Sequence, residues 1–192
     1  MRSCQFSTTT IRHGRVIPGA AAEVAFGLAG ALLFCLCSPG LVYAYEDQLT
    51  IGVGTGYAHS ISDTEPASGA RLEISGSTGL NLAWTARARL SYGFHPAADA
   101  LHVGMAAVEL LYLIDVVEFV PHFGAGASVL GSARDDVWRA YPAVHGVLGV
   151  DYLMSRELTL ELDLSAHARV TALDTDPLYL TATVSLVWML ER

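Results

Sequence analysis

The chain has 192 residues, 52% of them hydrophobic and 16% charged, with 11 Lys+Arg against 19 Asp+Glu. That composition excludes a disordered or low-complexity chain, which would be charge-rich and poor in apolar residues. Every basic residue is arginine, and a formal net charge of −8 without a basic cluster removes the electrostatic source of non-specific nucleic-acid binding.

Arg2, Arg12 and Arg15 precede an uncharged apolar run from Val24 to Cys37, followed by the helix breakers Ser38-Pro39-Gly40 and then Leu41-Val42-Tyr43-Ala44. A basic start, a 14-residue apolar core and a V-x-A cleavage site predict a secretory signal peptide over 1–44, with the mature domain over 45–192. A membrane anchor is the alternative, but 14 residues fall short of the ~20 that span a bilayer. Cys4, Cys35 and Cys37 all lie in this leader, so the exported part is expected to have neither disulfides nor a cysteine zinc site.

From Gln48 onward the hydrophobic period is two, the period of a strand. Over 158–170, Leu158, Leu160, Leu162, Leu164, Ala166, Ala168 and Val170 oppose Thr159, Glu161, Asp163, Ser165, His167 and Arg169. Residues 80–92 repeat the pattern, with Leu80, Leu82, Trp84, Ala86, Ala88, Leu90 and Tyr92 against Asn81, Thr85, Arg87, Arg89 and Ser91. The last run sets Leu178, Leu180, Ala182, Val184, Leu186 and Trp188 against Tyr179, Thr181, Thr183 and Ser185. Breakers divide the chain into eight runs: 48–59, 68–75, 80–94, 100–114, 119–130, 140–153, 158–171 and 178–190. Connections of 8, 4, 5, 4, 9, 4 and 6 residues then alternate long and short. Strands of this length with short turns at one end and longer loops at the other predict an all-β, closed, eight-stranded antiparallel up-and-down transmembrane barrel.

Alternation alone does not say which face points inward. A soluble lipocalin-like binding barrel in the periplasm would turn the leucines in and the charges out. Three features favour the membrane. Bulky aromatics (Tyr57, Trp84, Tyr92, Tyr152 and Trp188) sit near strand ends, where interfacial girdles belong. The polar face carries both signs in near balance, and the loops differ in length between the two ends.

The segments Leu111-Tyr112-Leu113-Ile114-Asp115-Val116-Val117-Glu118-Phe119-Val120-Pro121, Gly149-Val150-Asp151-Tyr152-Leu153-Met154-Ser155-Arg156 and Pro177-Leu178-Tyr179-Leu180-Thr181-Ala182-Thr183 resemble the small outer-membrane barrels of Gram-negative bacteria, of the OmpA/OmpX type. The resemblance covers about 45–192 and is closest to an uncharacterised outer-membrane branch. It implies an outer-membrane location after cleavage near Ala44 and a monomer in contact with outer-membrane lipids and lipopolysaccharide. It also implies insertion by the barrel-assembly machinery. Such barrels usually end on an aromatic residue, whereas this chain ends Trp188-Met189-Leu190-Glu191-Arg192.

With the polar faces inward, Arg71, Arg87, Arg89 and Arg169 meet Glu73, Glu109, Asp151, Glu161 and Asp163 in a lumen that has room for side chains but not for a channel. The expected role is a plug of ion pairs, since an unpaired buried charge is costly. A proton or ion path along the same residues is the alternative. The five-residue connection between the 80–94 and 100–114 runs places Arg87 and Arg89 opposite or diagonal to Glu109. His122, His145 and His167 lack metal-site spacing and are read as lumen-filling imidazoles, so neither metal nor cofactor is expected.

His59-Ser60, with Asp63 and Glu65 nearby, has the parts of a hydrolase, and a lipid-modifying enzyme is a further alternative. Adjacent residues on an extended chain point to opposite faces, so His59 is not expected to activate Ser60, and no catalysis is predicted. Gly52-Val53-Gly54-Thr55-Gly56 and Gly124-Ala125-Gly126 continue strands and lack a strand-to-helix turn, so they are read as keeping a narrow wall free of side chains. Asp63, Glu65, Asp99, Asp135, Asp136, Asp174 and Asp176, against Arg134 and Arg139, make an acidic rim. It is read as solvated, with divalent-cation bridging to lipopolysaccharide as the alternative. The functional expectation is a structural or interaction barrel.

Overall fold

The computed structural model describes residues 48–61, 67–96, 101–114, 119–134, 137–171, 173 and 178–190. The leader, the acids of the predicted rim and the terminal Glu191-Arg192 lie outside them.

Eight strands follow one another: β1 Leu49–Ile61, β2 Ala67–Gly79, β3 Trp84–His95, β4 Leu101–Leu113, β5 Phe119–Arg134, β6 Val137–Leu153, β7 Leu158–Arg169 and β8 Leu178–Leu190. Each pairs antiparallel with the next, and β8 pairs with β1 to close the barrel. Closure gives every strand a partner on both sides and leaves no edge strand. This is the predicted architecture.

The leucine stripes face outward: Leu72, Leu148 and Leu164 are more than half exposed, and Ile74, Leu90, Leu162 and Val184 nearly as much. Arg71, Glu73, Arg87, Arg89, Glu161, Asp163 and Arg169 of these strands are buried inside. A lipocalin-like arrangement, with leucines in and charges out, is therefore not the one adopted. Outward aromatics gather at the two ends. Trp84 packs edge-on against Tyr112, Phe119 stacks on Tyr152, and Trp188 lies exposed at the end where β1 begins. Tyr57, Tyr92 and Phe94 lie toward the opposite end.

The bounds of β2 differ from expectation. The turn between β2 and β3 falls at 80–83 rather than 76–79, and the short 68–75 run is a thirteen-residue strand. Gly76-Ser77-Thr78 stays in the ladder opposite Leu49–Ile51, with Thr50 and Ser77 hydroxyls 2.6 Å apart. Asn81 makes the turn, its side-chain oxygen accepting from the amides of Ala83 at 2.9 Å and Trp84 at 3.0 Å. Such side-chain-to-backbone bonds mimic a backbone turn. Leu80 and Leu82 consequently leave the predicted stripe.

The nine-residue loop expected at 131–139 is instead a hairpin joined by positions 135–136. The ladder continues through Ser132↔Arg139 and Ala133↔Trp138, because residues paired on a neighbouring strand need no local propensity of their own. As a result β6 runs well past the point, near Ala143, where β7 stops pairing with it.

Candidate functional site: the polar lumen

The site is the barrel interior, built from alternate residues of every strand. Side chains of Arg71, Glu73, Arg87, Arg89, Glu109, Glu161, Asp163 and Arg169 are all buried there, with Asp151 half-buried at the mouth where β1 begins. Arg87 stands directly opposite Glu109 in the β3–β4 ladder. Its Nε donates to Glu109 Oε1, while Nη1 donates to Glu161 at 2.5 Å and Nη2 to Asp163 at 2.6 Å. In a closed eight-strand order β3 and β7 are diametrically opposed, so these bonds cross the full width of the lumen. Arg89, one layer further in, donates to Glu109 at 2.7 Å and Ser165 at 3.1 Å, and reaches Asp163 at 3.4 Å. Arg71 pairs with Glu73 on its own strand, and Glu73 is 3.6 Å from Arg89.

Two glycines make room for this packing. Gly126 on β5 lies between Glu109 on β4 and His145 on β6, and His145 Nε2 reaches Glu109 at 2.9 Å across it. Gly149 on β6 lies between His122 on β5 and Asp163 on β7, which meet over it at 2.7 Å. A Cβ at Gly149 would land on His122 Nε2 and Asp163 Oδ1, and one at Gly126 would press on the backbone of Val108 and Glu109. Gly54 lies in the same way between Glu73 and Ser185. Removing one side chain from a crowded wall lets its two neighbours touch.

The histidines separate by end. His145 and His167 face each other on β6 and β7 with ring centroids 4.6 Å apart, and Ser128 lies 3.1 Å from His167 Nδ1. His122 sits at the opposite end, beside Asp151 and Glu161.

Toward the end where β1 finishes, the lumen gains an apolar cluster, with Ala58, Val103, Met105, Leu130, Ala143 and Tyr179 packed together. His95 and Tyr179, 3.2 Å apart, belong to this layer. His95 extends β3 one residue past the expected run of 80–94. The inner face of β4 is Val103, Met105, Ala107, Glu109 and Leu111, so both faces of this strand are largely apolar.

His59 and Ser60 point to opposite faces, Ser60 inward to Arg169 at 3.3 Å. His59 Nδ1 instead lies 3.0 Å from Ser68, whose oxygen accepts from Tyr57 at 2.7 Å, all on the outer surface. The sequence signal for that pair is only the β1–β2 register, His59↔Ser68.

No protein-family model matches the sequence, and no curated protein matches it. Solved structures do match the fold. Neisserial surface protein A aligns with a TM-score of 0.67 at 13% identity, covering 74% of this chain and 99% of that one. Ail, the attachment invasion locus protein of Yersinia pestis, aligns at 0.55 and 9% identity, covering 76% and 99%. The N-terminal β-barrel domain of Pseudomonas aeruginosa OprF aligns at 0.54 and 12% identity, covering 76% and 98%. The architecture is that of the small eight-stranded outer-membrane barrels.

Proposed function

We propose that this protein is an outer-membrane barrel with a closed lumen, acting through its outer surfaces as a structural or interaction protein rather than as a pore or an enzyme. The observation that carries the reading is Arg87, a buried cation on β3 bonded at 2.5 and 2.6 Å to carboxylates on the opposite wall. A conducting path would have to break these charge-assisted bonds, each among the stronger kinds of hydrogen bond in proteins. The outward apolar band between aromatic ends supports embedding in a bilayer, with lipid and lipopolysaccharide as the immediate surroundings. The fold likeness to outer-membrane barrels supports that membrane in particular.

Two measurements test this. After fractionation and carbonate washing, the chain is expected in the outer membrane with heat-modifiable gel migration; release into the periplasmic fraction would refute the location. Planar-bilayer recordings of the purified protein are expected to show no stable conductance, and a reproducible channel would refute the closed lumen.

A second reading rests on the outward pair of Ser68 and His59, a hydroxyl and an imidazole at hydrogen-bond distance on the outer surface of the barrel. It is an ester hydrolase acting on membrane lipid. Mass spectrometry of lipids incubated with wild type and Ser68→Ala separates the two: acyl loss that depends on Ser68 would establish the enzyme.

A further inference from the structure

We infer that the mouth of the lumen where β1 begins holds a divalent transition-metal ion, zinc-like in its ligand chemistry, on His122, Asp151 and Glu161. One potential ligand atom from each of the three lies within 4.8 Å of the others. Asp151 and Glu161 stand directly opposite each other in the β6–β7 ladder, and like charges in that position repel unless something bridges them. His122 Nδ1 is 3.6 Å from Asp151 Oδ2.

Three further observations point to a cation there. Among the buried atoms without a hydrogen-bond partner are His122 Nδ1, Asp151 Oδ1 and Glu161 Oε1, one from each residue. The His122 side chain has no exposed surface and that of Glu161 is 9% exposed, so water does not satisfy these atoms cheaply. Around them four carboxylates (Glu109, Asp151, Glu161 and Asp163) face two guanidinium groups, Arg87 and Arg89, an excess of two negative charges when His122 and His145 are neutral. Asp151 touches neither arginine in that network.

The surroundings also prepare the imidazole. His122 Nε2 lies 2.7 Å from Asp163 Oδ1, and the other oxygen of Asp163 accepts from Arg87 at 2.6 Å. An acceptor-only carboxylate holds the proton on Nε2 and leaves the Nδ1 lone pair turned toward Asp151. A carboxylate behind a histidine is the usual outer support of a metal ligand. One nitrogen and two carboxylate oxygens favour a first-row transition ion such as zinc over calcium or magnesium, which take all-oxygen sets. The Asp151 side chain, 21% exposed, gives the ion a way in from the mouth. The competing arrangement is a doubly protonated His122 clamped between Asp151 and Asp163, with no ion.

The test uses the full chain, folded in detergent and stripped with EDTA, titrated with zinc chloride by calorimetry and followed by thermal unfolding. Wild type is expected to bind one zinc and to unfold at a higher temperature with zinc than in EDTA. Asp151→Asn should bind at least tenfold more weakly. In EDTA it should unfold no lower than wild type, because the facing carboxylates no longer repel. His102→Ala, an outer-surface change, should bind as wild type does. If Asp151→Asn does not fold, cobalt in wild type reads the donors directly, with the intense visible bands of a four- or five-coordinate site expected. No zinc bound to wild type, equal zinc affinity in Asp151→Asn, or only the weak spectrum of hexa-aqua cobalt would overturn the proposal.

Discussion

Replacing Glu109 with leucine removes the acceptor shared by three donors. Its side chain has no exposed surface and takes bonds from Arg87 Nε, from Arg89 at 2.7 Å and from His145 Nε2 at 2.9 Å. Arg87 retains Glu161 and Asp163, so it stays neutralised. The loss falls on Arg89, left with Ser165 at 3.1 Å, Asp163 at 3.4 Å and Glu73 at 3.6 Å, and on His145, whose Nδ1 already has no partner. Removing one member of a buried ion pair costs about 3–5 kcal/mol; with one of the two arginines still paired, we expect about 3 kcal/mol. Glu109→Gln, which keeps the shape and one acceptor oxygen, should cost roughly half of that, near a single charged hydrogen bond. Urea unfolding of the detergent-folded chain, read by tryptophan fluorescence, measures both, and an unchanged m-value identifies the shift as one of stability. Replacing Arg89 and Glu109 together by leucine should recover most of the loss, since an apolar pair leaves no orphaned charge. Glu109→Leu within about 0.5 kcal/mol of wild type, the range of inert surface changes, would refute this reasoning.

Gly149→Ala should cost about 2 kcal/mol, the worth of the charge-assisted His122–Asp163 bond that the new methyl displaces, measurable in the same urea assay. Leu162→Arg, on the outward face midway along β7, should destabilise the vesicle-inserted barrel by about 2–4 kcal/mol. The same change in a water-soluble barrel would be nearly neutral, so an unaffected variant would argue against bilayer contact. Intact mass of the protein recovered from outer membranes should match a chain beginning at Tyr45, and retention of residues 1–44 would refute the leader.

The faces of β3, β7 and β8 were legible because bulky leucines alternate there with ionisable or hydroxyl residues. β4 was not, since Val103 and Met105 point inward while Ala106 and Val108 point outward, and a period vanishes when both faces are apolar. Arg87 opposite Glu109 followed from a hairpin count, because the length of a hairpin connection sets the register of the two strands it joins. Its bonds to Glu161 and Asp163 could not be read that way. They join walls four strands apart, and that meeting depends on the stagger of the whole closed sheet. Glycine and serine at 76–79 suggested a turn by composition, whereas Asn81 made one through its side-chain oxygen. The facing pair Asp151 and Glu161 was countable from the four-residue turn at 154–157; what sequence did not convey is that His122 reaches the same layer across Gly149.

The cross-lumen bonds also impose an order in time. Arg87 is separated from Glu161 and Asp163 by 74 and 76 residues, so those contacts form only after β7 has been added to the growing sheet. Contacts so distant along the chain are late events in folding. Until then Arg87 has Glu109 alone, and the concave face of the nascent sheet must keep its water. Expulsion of that water belongs to the final closure of β8 on β1. Weakening the β3-to-β7 ties should therefore accelerate unfolding far more than it slows folding, the signature of interactions absent from the transition state. The barrel's persistence, once closed, is then set by the rate at which the ties between β3 and β7 are broken.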